Sequence, residues 1–222
     1  MAIAEHLAAI RDRIDHAARQ AGRNPADVTL IAVSKRQPDE AVAAAVQAGQ
    51  RDFAENLVQP WVARSEGFPG ARWHLIGPVQ TNKARLVWTY RPTLLHTLDR
   101  ERLIEALERR QQLQPGPPLP GLVEVNLDGE AQKAGVSPGL LDAFVDRVVA
   151  SPVVELRGLM CIPKPGPEGA PFARLRQLAE EVSDRLPPSY ELSMGMSGDF
   201  ERAIAQGATM VRVGTAIFGA RR

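Results

Sequence analysis

Val28-Thr29-Leu30-Ile31-Ala32-Val33-Ser34-Lys35 is the stretch on which the fold turns: an apolar run closed by a lone primary amine, at the carboxyl end of what reads as the first β-strand. A parallel barrel keeps its chemistry at that end of its strands. Much later, Ser193-Met194-Gly195-Met196-Ser197-Gly198 and Val211-Arg212-Val213-Gly214-Thr215 also close strands, and both carry the small residues that let a backbone wrap a phosphate. An amine facing a phosphate cradle suggests a bound aldehyde with a phosphate tail.

Outward from this run, short β-branched segments alternate with helical ones along the chain. Strands are expected at residues 28–35, 52–56, 73–77, 93–98, 121–127, 154–162, 191–197 and 209–214. Between them Pro38–Ala48, Gln59–Glu66, Asn82–Tyr90, Arg100–Gln112, Pro138–Ala150, Ala170–Leu186 and Asp199–Gln206 have helical composition or periodicity. Eight strands and their crossovers predict an α/β chain, a single (β/α)8 TIM barrel domain over residues 1–222, with a doubly wound open sheet as the alternative. The functional residues favour the barrel, where every strand end meets at one mouth, whereas an open sheet can leave Lys35 far from the last two loops. Pro115–Pro120 is too short a linker to mark a domain boundary, and Pro163–Gly169 reads as a rim element over the site.

A composition of 44% hydrophobic and 24% charged residues excludes disordered and collagen-like classes. With 27 basic and 26 acidic residues the net charge is +1, leaving no field to hold a polyanion, so nucleic acid is not an expected partner. Cys161, the single cysteine, has no intramolecular disulfide partner. The first 21 residues mix Arg11, Arg13 and Arg19 with Glu5, Asp12 and Asp15, unlike an acid-poor transit peptide. Ile3, Leu7, Ile10 and Ile14 recur there at helical spacing, predicting an N-terminal amphipathic helix packed on the body. No stretch approaches the roughly 20 apolar residues of a membrane span, and the expected compartment is the cytoplasm.

Ser197 reads as the N-cap of the helix that follows, where outward N–H groups and the positive end of the helix dipole suit an anion. Its plainer reading is a cap alone, since Asp199 already complements that dipole. Gly214 and Thr215 supply a second half: close backbone approach, a hydroxyl and an N–H, then the short turn Ala216-Ile217-Phe218-Gly219. Loops after the seventh and eighth strands, with a short extra helix, form the recurrent phosphate site of this barrel.

Alternation puts Lys35 on the face of Val33 and Ile31. If that face points inward, the amine enters the mouth, where desolvation keeps a fraction of a lysine neutral for attack on an aldehyde. Otherwise it is a solvated surface lysine. Arg212 shares a face with Gly214, and a buried guanidinium needs a partner. One candidate is a barrel carboxylate such as Glu124 or Glu55; the other is a pyridine nitrogen. Facing an arginine, such a nitrogen stays unprotonated and its ring becomes a weaker electron sink.

With these residues in place, essentially the whole sequence resembles the pyridoxal phosphate homeostasis protein family. The matching stretches are Ala32-Val33-Ser34-Lys35, Glu55-Asn56, Trp73-His74-Leu75-Ile76-Gly77-Pro78-Val79-Gln80-Thr81-Asn82-Lys83, Arg157-Gly158-Leu159-Met160, Ser193-Met194-Gly195-Met196-Ser197, and Val211 through Arg221. The resemblance implies a barrel of the alanine-racemase kind, fold type III, without the racemases' extra β domain, that binds pyridoxal 5′-phosphate (PLP) with no established turnover. It implies Lys35 as the Schiff-base lysine, Ser197, Gly214 and Thr215 as phosphate ligands, and Arg212 beside the ring nitrogen. Asn56, His74 and Met160 match positions near the cofactor; His74 has a second reading as a hydrogen-bonded core histidine, and Met160 as plain packing. Ala54 and Leu57 depart from the family's Gly and Tyr, and Gln37 stands where some members carry lysine. Lys133 matches in type, with two readings: transfer of PLP, or a solvated loop lysine.

Three functions are then in play: a PLP buffer or carrier that supplies apo-enzymes, a small amino-acid racemase, and a Schiff-base aldolase acting on a sugar phosphate. Racemisation wants acid–base groups on both faces of Cα. Tyr90 and Tyr190, the two tyrosines, each precede a strand and are expected at the far end of the barrel, and Cys161 is expected to be a buried structural thiol. The carrier is therefore favoured, as a monomer, because the racemases' dimer-building second domain is lacking.

Overall fold

The computed structural model describes residues 2–130, 132–164 and 169–219, so the expected rim loop lies outside the described residues from 165 to 168. Helix α1 (Ile3–Gln20) comes first, burying Leu7, Ile10, Ile14, Ala17 and Ala18 as its periodicity predicts. Eight strands follow: β1 (Thr29–Val33), β2 (Asp52–Glu55), β3 (Arg72–Leu75), β4 (Leu94–Leu98), β5 (Leu119–Glu124), β6 (Val154–Met160), β7 (Glu191–Ser193) and β8 (Met210–Val213). Each pairs in parallel with the next, and β8 pairs back onto β1 to close an eight-stranded barrel. Crossovers run through α2 (Asp39–Gln47), α3 (Val58–Gly67), α4 (Ala84–Tyr90), α5 (Glu101–Leu113), α6 (Leu141–Val149), α7 (Ala170–Glu181) and α8 (Phe200–Ala205), with α9 (Thr215–Phe218) after β8. The (β/α)8 reading stands and the open sheet is excluded.

The period of two along each strand divides the core into two shells. Ile31, Val33, Ala54, Ile76, Leu94, Leu122, Met160 and Met210 form an apolar cluster inside the barrel. Residues of opposite parity, such as Leu30, Ala32, Phe53 and Trp73, belong to the larger shell under the helices. Lys35, Glu124, Ser193 and Arg212 have the inward parity of their strands, which carries polar chemistry to the barrel axis.

α1 braces the last elements of the chain. Its His6 ring Nδ1 lies 2.8 Å from the Ile217 carbonyl of α9. Arg13 pairs with Glu201 of α8 at 2.5 Å, its guanidinium 4.6 Å from the centroid of the Phe200 ring.

Several strands are shorter than their apolar runs. β1 stops at Val33 because Ser34–Gln37 forms a turn, the Gln37 N–H donating to the Ser34 carbonyl at 3.0 Å, with Arg36 at a left-handed φ of 61°. β7 stops at Ser193 instead of 197, and Gly195 turns the chain at φ 90°. A Cβ on Gly195 would lie 2.6 Å from that of Ala203, so both dihedral and packing demand glycine. Lys35 and Ser197 thus sit on turns just beyond strand ends. Among the described residues no helix is long and apolar enough to cross a membrane.

Candidate functional site

A cavity of about 410 Å3 opens at the carboxyl ends of the strands. It brings together Lys35, Asn56, Ser197, Arg212, Gly214 and Thr215, over apolar walls that include Val33, Ile76 and Ile162. Six of the eight residues singled out in the sequence therefore share one concavity.

The turn carrying Lys35 is pinned from below. Ser34 Oγ donates to Glu55 Oε1 at 2.7 Å. Burial pushes the Glu55 carboxyl above its usual range, opposed by the Ser34 hydrogen bond and by the charges of Arg64 and Lys35. Asn56 is held by close contact with the exit of β3: a Cβ on Gly77 would lie 2.0 Å from the Asn56 carbonyl oxygen. Only glycine permits that approach.

The Ser197 side chain does not cap α8. Asp199 precedes that helix, and its Oδ1 accepts the Met196 N–H at 2.6 Å, so the carboxylate closes the turn locally. Ser197 Oγ accepts the Gly214 N–H at 3.3 Å and links the loops after β7 and β8. Gly214 lies against β1, where a Cβ would be 3.3 Å from the Val33 carbonyl oxygen. The loop offering Gly214 and Thr215 is thereby set beside the strand that leads to Lys35.

Arg212 is buried without either carboxylate partner considered for it: among the described residues it forms no ion pair. Its Nη1 donates to Ser193 Oγ at 2.6 Å and its Nη2 to the Cys161 carbonyl at 2.9 Å. Glu55 turns instead to Ser34 and Arg64. Among the described residues, Glu124 Oε2 has no hydrogen-bond partner. Burial and then the nearby Asp99 raise the Glu124 carboxyl to about 7, against the pull of Arg212 and Arg100.

His74 and Met160, matched by resemblance to positions near the cofactor, are not among the residues lining this cavity. His74 faces inward one layer lower, within β3, with Nε2 3.2 Å from Asp52 Oδ1 and Nδ1 2.9 Å from His96 Nε2. Met160 is fully buried in the inner apolar cluster with Val33 and Ile76, supporting the cavity from beneath. His96 and Ser193 were not anticipated, though each is a polar residue of inward parity, and a buried polar group calls for a partner. Their ring and hydroxyl are 2.9 Å apart.

Lys133 pairs with Asp128 and Glu130 and lines a separate cavity of about 560 Å3 with Asp99, Arg100 and Asn126. Tyr90 hydrogen-bonds Glu66 at 2.8 Å on the surface, and Tyr190 precedes β7, so neither belongs to the mouth. Burial pushes the Cys161 thiol up to about 12, which keeps it protonated and removes it as a base.

The chain matches the family described as "Alanine racemase, N-terminal domain" over residues 6–222. Solved alanine racemases share the fold at low identity: that of Corynebacterium glutamicum superposes with a TM-score of 0.67 at 16% identity, covering 96% of this chain but 61% of its own. Within this class the chain belongs to the pyridoxal phosphate homeostasis protein family. The Escherichia coli K12 protein of that name is 44% identical over 99% of this chain and 97% of its own length, and the Pseudomonas aeruginosa one 44% identical over 99% and 96%. The structure of PipY from Synechococcus elongatus with PLP bound superposes with a TM-score of 0.81 at 37% identity, covering 98% of this chain and all of the other.

Proposed function

We propose that this chain, as one domain over residues 1–222, binds PLP in the mouth cavity through Lys35 and serves cytoplasmic PLP homeostasis, buffering the cofactor and supplying apo-enzymes without strong catalysis of its own. The observation that carries this reading is the joining of Lys35, Arg212 and the Ser197 and Gly214–Thr215 loops in one cavity. The donor set fits PLP: an amine for an aldehyde, hydroxyls and loop amides for a phosphate, apolar walls for a ring, and a guanidinium that keeps its proton beside a pyridine nitrogen. Relatives named for pyridoxal phosphate homeostasis, and one solved with PLP, support it.

When bound, PLP supplies a reactive aldehyde. Lys35 would meet that group with its amine, Ser197, Gly214 and Thr215 would hold the phosphate, and Arg212 would meet the ring nitrogen. Asn56, just after β2, would help orient the ring. Val33, Ile76 and Ile162 exclude water from its faces. Neither Tyr90 nor Tyr190 lies at the mouth, which supports holding over racemisation.

Purified protein incubated with PLP is expected to absorb in the visible range, with borohydride fixing the cofactor on the peptide that contains Lys35. A Lys35→Ala protein that kept the band would overturn the assignment. Transfer to an apo-enzyme is expected on mixing, and deuterium entry at Cα of alanine is expected to stay at background. Light scattering is expected to give a monomer.

A further inference from the structure

Beneath the mouth, five polar side chains run down the barrel axis in single file. Arg212 Nη1 lies 2.6 Å from Ser193 Oγ, which lies 2.9 Å from His96 Nδ1. His96 Nε2 is 2.9 Å from His74 Nδ1, and His74 Nε2 is 3.2 Å from Asp52 Oδ1. All five are buried. The string begins at a residue lining the cavity and ends at a floor opening of about 350 Å3, lined by Asp52, His74, Arg72, Glu155, Arg157 and Glu191.

Elementary donor–acceptor rules fix the bonds at the two ends of the string. A guanidinium only donates, so Ser193 Oγ accepts from Arg212 and keeps its own O–H to give away. A carboxylate only accepts, so His74 carries its proton on Nε2. With one proton on each ring, His74 Nδ1 accepts from His96 Nε2–H and His96 Nδ1 accepts from Ser193, so the string runs in one direction throughout. Burial, then His74 and Arg212, hold His96 well below its ordinary pKa and so neutral. Burial opposes ionisation of Asp52, but hydrogen bonds from His74 and Arg72 and the Arg72 charge outweigh it and hold the carboxyl below its usual range. Burial, the largest effect, lowers the Arg212 pKa, while the charges of Glu124 and Asp199 nearby favour the guanidinium without pairing with it.

We propose that Ser193, His96 and His74 are positioning residues that form a one-way hydrogen-bond chain from Arg212 to Asp52, and that this chain presents the guanidinium to the ring nitrogen of the ligand. The role toward the ring rests on the PLP reading above; the chain itself does not. It supplies the buried cation with a distant counter-charge and holds one arm of the fork, while the Cys161 carbonyl holds the other. Other N–H groups of the fork are left for the cavity.

Two measurements test it. In the protein without added ligand, nitrogen NMR of labelled histidine, assigned with His74→Gln and His96→Gln, is expected to show both rings neutral with the proton on Nε2. A proton on His96 Nδ1, or a charged His96, overturns the chain. In binding, Ser193→Ala is expected to weaken PLP about tenfold, the order for one lost hydrogen bond to a charged group. It is expected to leave unchanged the affinity for a carbocyclic analogue with CH in place of the ring nitrogen, and Ser193→Thr is expected to restore PLP affinity. Equal losses for both ligands overturn the positioning role, since a general packing defect acts on both. Wild-type protein that binds neither ligand overturns the PLP reading and this role with it, while the tautomers still judge the chain.

Discussion

The two ends of the barrel are both concave and both polar, yet they differ in how their charges are spent. At the floor, acids and bases neutralise one another: Arg72 meets Asp52 at 2.5 Å, Arg157 meets Glu155 at 2.6 Å, and Glu191 accepts from Thr209 at 2.5 Å. At the mouth, Arg212 is buried and forms no ion pair among the described residues, and the loops after β7 and β8 contribute hydroxyls and amides. Polar concavity alone does not make a site. A surplus of donors does, because desolvated positive charge and amides gain most from an anionic or basic ligand.

That contrast breaks most visibly at Lys35. Lys35→Ala is expected to weaken PLP binding at least about 100-fold through loss of the covalent link, while Arg157→Ala at the floor changes it less than about twofold; absorbance titration of both proteins measures the difference. Tight binding by Lys35→Ala would erase the distinction between the ends. Next in size is Gly77→Ala, whose Cβ would fall 2.0 Å from a backbone oxygen. Shifting Asn56 to make room is expected to cost roughly 3 kcal/mol in urea unfolding and to lower PLP affinity with it. Wild-type stability in that variant would show that the mouth tolerates movement.

Glu124 sharpens the comparison through pH. Its carboxyl titrates near 7 in the folded chain against 4.5 in the open one, so between these values the folded state holds the extra proton. Stability is greatest below about 4.5 with respect to this group, falls as pH rises through the window, and levels off above 7, losing at most roughly 3 kcal/mol. Glu124→Gln removes that slope and is expected to raise the denaturation midpoint at about pH 8 with little change near pH 4. Equal midpoints at both values would place the proton elsewhere. The smallest effect belongs to Arg157→Ala, an exposed pair with Glu155 worth about 0.5 kcal/mol or less, read from the same unfolding curves.

Strand order and the mouth residues were legible because alternation and small-residue turns are local signals. The apolar run ending at Lys35 gave both the strand and its direction of travel. Strand ends were less legible: Arg36 adopts a left-handed φ that its residue type does not announce. The role of Ser197 depended on Gly214, 17 residues later, and a helix-cap reading cannot see that far. His74 was matched by resemblance to a position near the cofactor, with a hydrogen-bonded core histidine as its second reading, and which partners it takes, Asp52 and His96, depends on the neighbouring strands. Arg212 showed that it needed partners without showing which; Ser193 and the Cys161 carbonyl reach it only through barrel closure.

Closure also has a consequence in time. Lys35 lies near the start of the chain, while Ser197, Arg212, Gly214 and Thr215 come from its last quarter, and α1 waits for α8 and α9 to cover its apolar face. A ribosome releases these parts in order, so the first strand and its amine exist long before any loop that can hold a phosphate. The nascent chain therefore has an amine without a cradle until β8 pairs with β1. Capture of the ligand reports that synthesis has reached the end and that the ring of strands has shut.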